Sequence, residues 1–226
     1  MRGVFVKMKV AANLFIADTM ATLKTAGMFP TIMESQLELL HEIKEALIRA
    51  DSPSWEEWDA ERHNFDLAFK EMFPRILRYS FVLFLYSVVE EEFTALVKAI
   101  CKQRKIPFQG WEGKKFSLKR CKSTSRHLYA VTLPNDLAWN KLLVLEKVRN
   151  CIAHVGGVVE DSKDKEFLKE AVSAGIGITI SKHSISKGRL DINPKFCKKS
   201  TDAAIEFFTA VFERGGFGPD VPKAAR

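Results

Sequence analysis

Cysteine is sparse in this chain. Its four cysteines, Cys101, Cys121, Cys151 and Cys197, are scattered, and no two stand in CxxC spacing. That spacing argues against a zinc site. Long hydrophobic runs are missing as well. Nothing approaches the roughly 20 apolar residues that span a bilayer, so no membrane partner is expected. The first twenty residues, MRGVFVKMKVAANLFIADTM, have a superficial look of an export signal. Lys7, Lys9, Asn13 and Asp18 interrupt the apolar stretch, and its apolar residues recur at helical spacing. It reads as an amphipathic helix. With no export signal, reduced thiols and a cytoplasmic location are expected. There is no glycine-rich phosphate loop, because Gly156-Gly157 follows a helical pattern and does not open one. No histidine pair at i,i+4 with acids marks a metal helix, and no serine or cysteine sits in a nucleophile motif. His41, His63, His127 and His183 have no partner pattern. No metal and no cofactor is therefore expected. Internal repeats and low-complexity tracts are absent too.

What is present is ordinary globular composition, 46% hydrophobic and 28% charged over 226 residues. That is enough chain for a sizeable core, with one embellished domain as the default and two small domains as the alternative. The net charge of +7 is unevenly placed. Between Cys101 and Arg126 stand Lys102, Arg104, Lys105, Lys114, Lys115, Lys119, Arg120, Lys122 and Arg126 against the single acid Glu112. The segment carries +8, and the remainder of the chain is −1. Phe108, Trp111 and Phe116 are interleaved with these cations. Cations displace phosphate counterions and aromatics stack on bases, so the pattern fits a polyanion such as RNA. A solvated loop whose aromatics cover the core fits it as well. The expected RNA contacts are Lys114, Lys115, Lys119, Arg120, Lys122 and Arg126.

Periodicity predicts an all-α fold with a small β-hairpin near 176–192. Residues 11–49 read as two helices broken near Gly27-Met28-Phe29-Pro30, and a third helix spans 55–73. Pro74 is expected to end or kink it before a long apolar helix over 75–104. Residues 106–134 read as part loop and part short helix. Another helix is expected over 136–155, stopped by Gly156-Gly157. Residues 176–180 and 189–192 read as strands, 194–214 as the last helix, and 215–226 as a flexible tail.

Two of these helices carry polar residues inside apolar stripes. In the 136–155 helix, Val144, Val148, Ile152 and Val155 share one face. A second stripe, Trp139, Leu143, Glu146, Asn150 and His154, lies roughly 200° away, with Arg149 at its edge. A helix apolar on both sides has contacts on both sides, from its own chain or another subunit. Asn150 and His154 are then expected to line a contact zone. In the 75–104 helix, Glu90 shares a stripe with Leu83, Tyr86, Phe93 and Val97. A carboxylate there needs a partner, and Arg149 or His154 could supply one. Glu92 interrupts a second row, with Leu85, Val88 and Leu96. Glu91 faces the polar side.

The run Arg149-Asn150-Cys151-Ile152-Ala153-His154, at the end of an apolar helix and preceded by a long helix containing SVVEEEF, resembles the HEPN superfamily (higher eukaryotes and prokaryotes nucleotide-binding). The family's motif is Arg-x4–6-His, frequently R-N-x-x-x-H. The likeness covers residues 73–212, and Glu90 best matches the acidic position of the earlier helix. It implies an HEPN-like helical core over 73–214, with 1–72 as an N-terminal helical extension packing on it. It also implies a homodimer with facing motifs. Many members are metal-independent endoribonucleases of toxin–antitoxin or phage-defence systems, with an antitoxin or other regulatory protein as partner. Others are non-catalytic dimers that bind RNA, a nucleotide or a protein.

The residue chemistry is compatible with the catalytic class. Cleavage through the 2′-hydroxyl needs a proton acceptor, a proton donor and a cation on the phosphate. Histidine titrates near neutral pH and arginine's planar fork suits a phosphate gaining charge. The expected site is Arg149 on the phosphate, His154 transferring protons, Asn150 positioning and Glu90 orienting Arg149 or His154. A symmetric dimer would supply two copies of His154.

Overall fold

The computed structural model describes residues 2–51, 59, 62–63, 67–105, 107–108, 117–119, 121–122, 137–183 and 186–214. It is mainly helical, with one two-stranded sheet. Helix α1 spans Arg2–Asp51. A π-helical turn, Leu67–Met72, leads into α2, Phe73–Arg104. Helices α3 (Leu137–Val155) and α4 (Lys165–Ser173) follow. Strands β1 (Ile178–Ile180) and β2 (Leu190–Ile192) precede α5 (Pro194–Arg214). Among the described residues no helix is long and apolar enough to cross a membrane.

The break expected near Gly27–Pro30 is absent, and α1 runs through both residues. Proline removes one hydrogen bond from a helix, here the one that would reach the carbonyl of Ala26, and packing offsets that loss. Ala26 and Pro30 are both buried. Gly27 marks a close approach, not a stop: a β-carbon there would stand 2.8 Å from Cγ2 of Thr201. Pro74 likewise does not end its helix. It sits in the first turn of α2, where the wider π turn has just given way to α geometry, so its missing N–H falls at the change of helix type. Of the helix expected over 55–73, residues 52–58, 60–61 and 64–66 lie outside the described residues.

The chain folds as two compact units. The first comprises Met1–Gly27, Phe84–Val148 and Lys199–Arg226, and the second Met28–Leu83 and Arg149–Lys198.

In the first unit, Phe207 of α5 is the centre of the core. Its ring lies 5.6 Å from Trp139 and 6.2 Å from Phe93, and meets Phe208 edge-on at 5.4 Å. Such offset and edge contacts suit the aromatic quadrupole. Among the described residues of this unit Glu146 is a buried acid, 4% exposed. Its Oε1 accepts the Tyr86 hydroxyl at 2.9 Å and the Leu118 backbone N–H at 2.9 Å. The Thr19 hydroxyl donates to Glu92.

In the second unit the hairpin pairs antiparallel, Ile178 opposite Ile192 and Ile180 opposite Leu190, with Ile178, Leu190 and Ile192 buried. Strand alternation turns Thr179 and Asp191 to the other face. The guanidinium of Arg78 grips both carboxylate oxygens of Glu34 at 2.7 Å and donates a third bond to the Ile192 carbonyl at 3.1 Å. One side chain thus ties α1, α2 and β2. Helix α4 was not foreseen in the sequence. It is short, and it buries only Leu168 and Ala171.

Candidate functional site

Arg149, Asn150 and His154 occupy the last two turns of α3, all within the second unit. Arg149 and Asn150 are half-buried, and Nη1 of Arg149 donates to Oδ1 of Asn150 at 3.0 Å. The asparagine carbonyl therefore holds one edge of the guanidinium. His154 is exposed, one helical turn beyond Asn150 on the same face. Its ring makes no hydrogen bond or ion pair among the described residues.

The end of α3 is closed by backbone. Gly156 and Gly157 adopt φ of +60° and +85°. Their N–H groups donate to the carbonyls of Ile152 and Cys151, each at 3.1 Å. The Gly156 carbonyl accepts Nη1 of Arg189 at 2.7 Å. The Gly157 carbonyl accepts the Leu190 N–H at 2.9 Å, and the Tyr79 hydroxyl donates to the Leu190 carbonyl at 2.6 Å. Burial keeps the Tyr79 phenol above its ordinary range, with the Arg75 charge opposing the shift. Helix α2, β2 and the end of α3 thus form one hydrogen-bonded frame beneath His154. A helix-terminal histidine commonly serves to satisfy terminal carbonyls. Here Gly156 and Gly157 already satisfy those of Ile152 and Cys151, and Arg189 takes that of Gly156.

The second stripe of α3 splits in two. Trp139 and Glu146 are buried inside the first unit by this chain's own Phe207, Tyr86 and Leu118. The lower end opens, and in the single chain His154 is at the surface.

Glu90 belongs to the first unit, half-buried, and its carbonyl accepts the Thr94 hydroxyl at 2.8 Å. Glu91 is exposed, in keeping with its polar side of the helix. Of the expected RNA contacts, Lys119 is exposed, while Lys122 is half-buried with its ammonium 4.8 Å from the Trp139 ring centre. The neighbouring Leu118 and Cys121 are buried, which anchors this part of the basic segment to the first unit's core. Lys114, Lys115, Arg120 and Arg126 lie outside the described residues.

Cys151 is filler within the motif. It is buried, its Sγ lies 3.6 Å from the Val158 carbonyl, and burial raises its thiol above the usual range. Among the described residues no group of three or more His, Cys, Asp or Glu is placed to hold a metal ion.

Sequence reasoning missed a cleft of about 210 Å³ in the second unit, lined by Lys70, Glu71, Arg75, Arg78, His183 and Asp191 among others. Nδ1 of His183 lies 3.0 Å from Glu71. More than a hundred residues separate these partners along the chain, so no spacing pattern announces them. The π-helical turn delivers Lys70 and Glu71 to the cleft.

No family model, no curated protein and no solved structure matches the chain.

Proposed function

We propose that the chain is a metal-independent endoribonuclease whose site is built on Arg149, Asn150 and His154, completed by the same residues of a second copy. The observation that carries this reading is the division of labour at the end of α3. The terminal carbonyls of Cys151, Ile152 and Gly156 have partners, His154 stands exposed and uncommitted, and Asn150 holds the Arg149 fork one turn away. Arg149 would bind the scissile phosphate and stabilise the charge it gains. His154 of one copy would take the proton of the 2′-hydroxyl. The same residue of the other copy would return a proton to the leaving 5′-oxygen. The 2′-oxygen forms its bond to phosphorus as the bond to the 5′-oxygen breaks, leaving a 2′,3′-cyclic phosphate and a 5′-hydroxyl. The basic residues around Lys119 and Lys122 supply the charge that draws RNA to the protein.

The test is incubation of purified protein with total RNA in EDTA, wild type beside His154→Ala. Cleavage by the wild type and a loss of about 10²–10⁴-fold in the variant are expected for a proton-transfer residue. RNA left intact by the wild type, or cut equally by both proteins, rejects catalysis. RNA retention without cleavage would then identify a binding module.

A further inference from the structure

The cleft of about 210 Å³ in the second unit brings two charges of opposite sign together without pairing them. Arg75, in the first turn of α2, and Asp191, in β2, both line it, and both are half-buried. Among the described residues neither side chain makes a hydrogen bond or an ion pair. Both stand near the same phenol: the Arg75 charge lowers the pKa of Tyr79 and the Asp191 charge raises it. Of the other charged residues in the lining, Lys70 is exposed. Arg78 donates to both oxygens of Glu34 and to the Ile192 carbonyl. His183 and Glu71 hold one another at 3.0 Å, which fastens the segment after β1 to the π-helical turn. The hydroxyls of Ser181 and Ser186 meet at 2.7 Å, and that of Ser181 accepts the His183 N–H at 3.3 Å. The walls of the cleft are thus held by bonds that involve neither Arg75 nor Asp191.

A half-buried charge without a partner loses hydration and gains nothing that offsets the loss. Two of opposite sign in one cleft would recover it by pairing, yet these two stay apart. We propose that the cleft binds a small zwitterion, an α-amino acid or a close amino-carboxylate, with its carboxylate on Arg75 and its ammonium on Asp191. A guanidinium fork matches a carboxylate, and the Asp191 carboxylate accepts from an ammonium. A volume of about 210 Å³ holds about seven waters at roughly 30 Å³ each, which is the scale of such a molecule. The signs of the lining disfavour simpler ligands. A plain anion would meet Asp191 and Glu71, and a plain cation would meet Arg75 and Lys70. No residue of the Arg149–His154 motif lines the cleft, so the proposal stands apart from the ribonuclease reading.

Differential scanning fluorimetry of the full chain, against each standard α-amino acid at about 10 mM, should find at least one that raises the melting temperature, because a ligand of the native state stabilises it by mass action. Titration calorimetry with that amino acid then gives its affinity. Arg75→Gln should weaken binding about 10–100-fold, the loss of one hydrogen-bonded charge contact. Asp191→Asn should weaken it to a similar degree and abolish the preference for the amino acid over its 2-hydroxy analogue. Neither side chain has a partner among the described residues, so the helical circular dichroism of both variants should match the wild type. His154→Ala should titrate as the wild type does, whatever its effect on RNA. The proposal is overturned if no amino acid raises the melting temperature, or if either cleft variant binds as tightly as the wild type. It is overturned too if the 2-hydroxy analogue or inorganic phosphate binds the wild type as tightly as the amino acid, which would make the cleft an anion site.

Discussion

The hydroxyl of Tyr79 stands 2.1 Å from the point where a β-carbon on Gly157 would lie. Glycine is needed there twice over: its φ is +85°, and α2 presses a phenol ring into the space above it. The same hydroxyl donates to the Leu190 carbonyl, and the Leu190 N–H donates to the Gly157 carbonyl. Three residues from three elements therefore fix where α3 stops and the height at which His154 is presented.

Gly157→Ala should be strongly destabilising. Backbone strain in the left-handed region and overpacking against Tyr79 each cost about 1–3 kcal/mol, so a loss of about 2–6 kcal/mol is expected. Urea denaturation reads it directly. Gly175 also has a positive φ of 64°, but nothing lies within 4 Å of its would-be β-carbon, so Gly175→Ala should cost clearly less. Equal losses at both positions would mean that Tyr79 does not press on the site.

The buried carboxylate of Glu146 makes a second prediction. Tyr86→Phe removes one of its two donors and should cost about 1–3 kcal/mol, since a buried acceptor loses its partner. Glu146→Ala should cost more. It takes the acceptor from both the Tyr86 hydroxyl and the Leu118 N–H, and it removes buried side-chain volume. The order of the two denaturation midpoints checks this. Glu146→Ala more stable than Tyr86→Phe would contradict the anchoring role.

Alkaline pH should loosen the fold. Burial pushes the Cys197 thiol up to about 12 from its ordinary 9, against the opposing Arg78 charge, and burial raises Tyr79 as well. For a group raised on folding, the native state holds the proton more tightly than the unfolded chain. Its contribution is full below pH 9 and is lost as pH climbs from about 9 toward 12. At about 1.4 kcal/mol per unit, Cys197 alone withdraws up to about 4 kcal/mol across that window. Cys197→Ala should flatten the decline in melting temperature between pH 9 and 11. An unchanged slope would show that other groups dominate.

The helical class, the extents of α3 and α5, and the hairpin were legible because each rests on local signals. These were the 3.6-residue period, the Gly156-Gly157 stop and short β-branched runs around Gly188. Gly27 and Pro30 misled because local chemistry says break while tertiary packing buries Ala26 and Pro30 and brings Thr201 against Gly27. Glu146 was visible as a polar residue in an apolar stripe. Its partners, 60 and 28 residues away, were not. The same holds for His183 with Glu71, and for Tyr79, whose bond to Leu190 spans 111 residues. Arg149, Asn150 and His154 were readable as a hexapeptide. The partners of the carbonyls at the helix end, Gly156, Gly157 and Arg189, were not, because Arg189 lies more than thirty residues away.

The bond between Arg149 and Asn150 allows the guanidinium's shape to be tested apart from its charge. On the ribonuclease reading, Arg149→Lys keeps the charge but loses the planar fork and the fixed edge that Oδ1 of Asn150 holds at 3.0 Å. Cleavage should fall by about 10²–10³-fold, the cost of removing one donor set from a transition-state oxyanion. Asn150→Ala leaves the fork intact and removes one of its partners, so its loss should be smaller and should appear in kcat more than in KM. Both side chains are only half-buried, so neither substitution should move the melting temperature by more than a few degrees. Full activity in Arg149→Lys would remove the guanidinium from the mechanism. A loss in Asn150→Ala that exceeds that of Arg149→Lys would mean that Asn150 itself contacts the reacting phosphate.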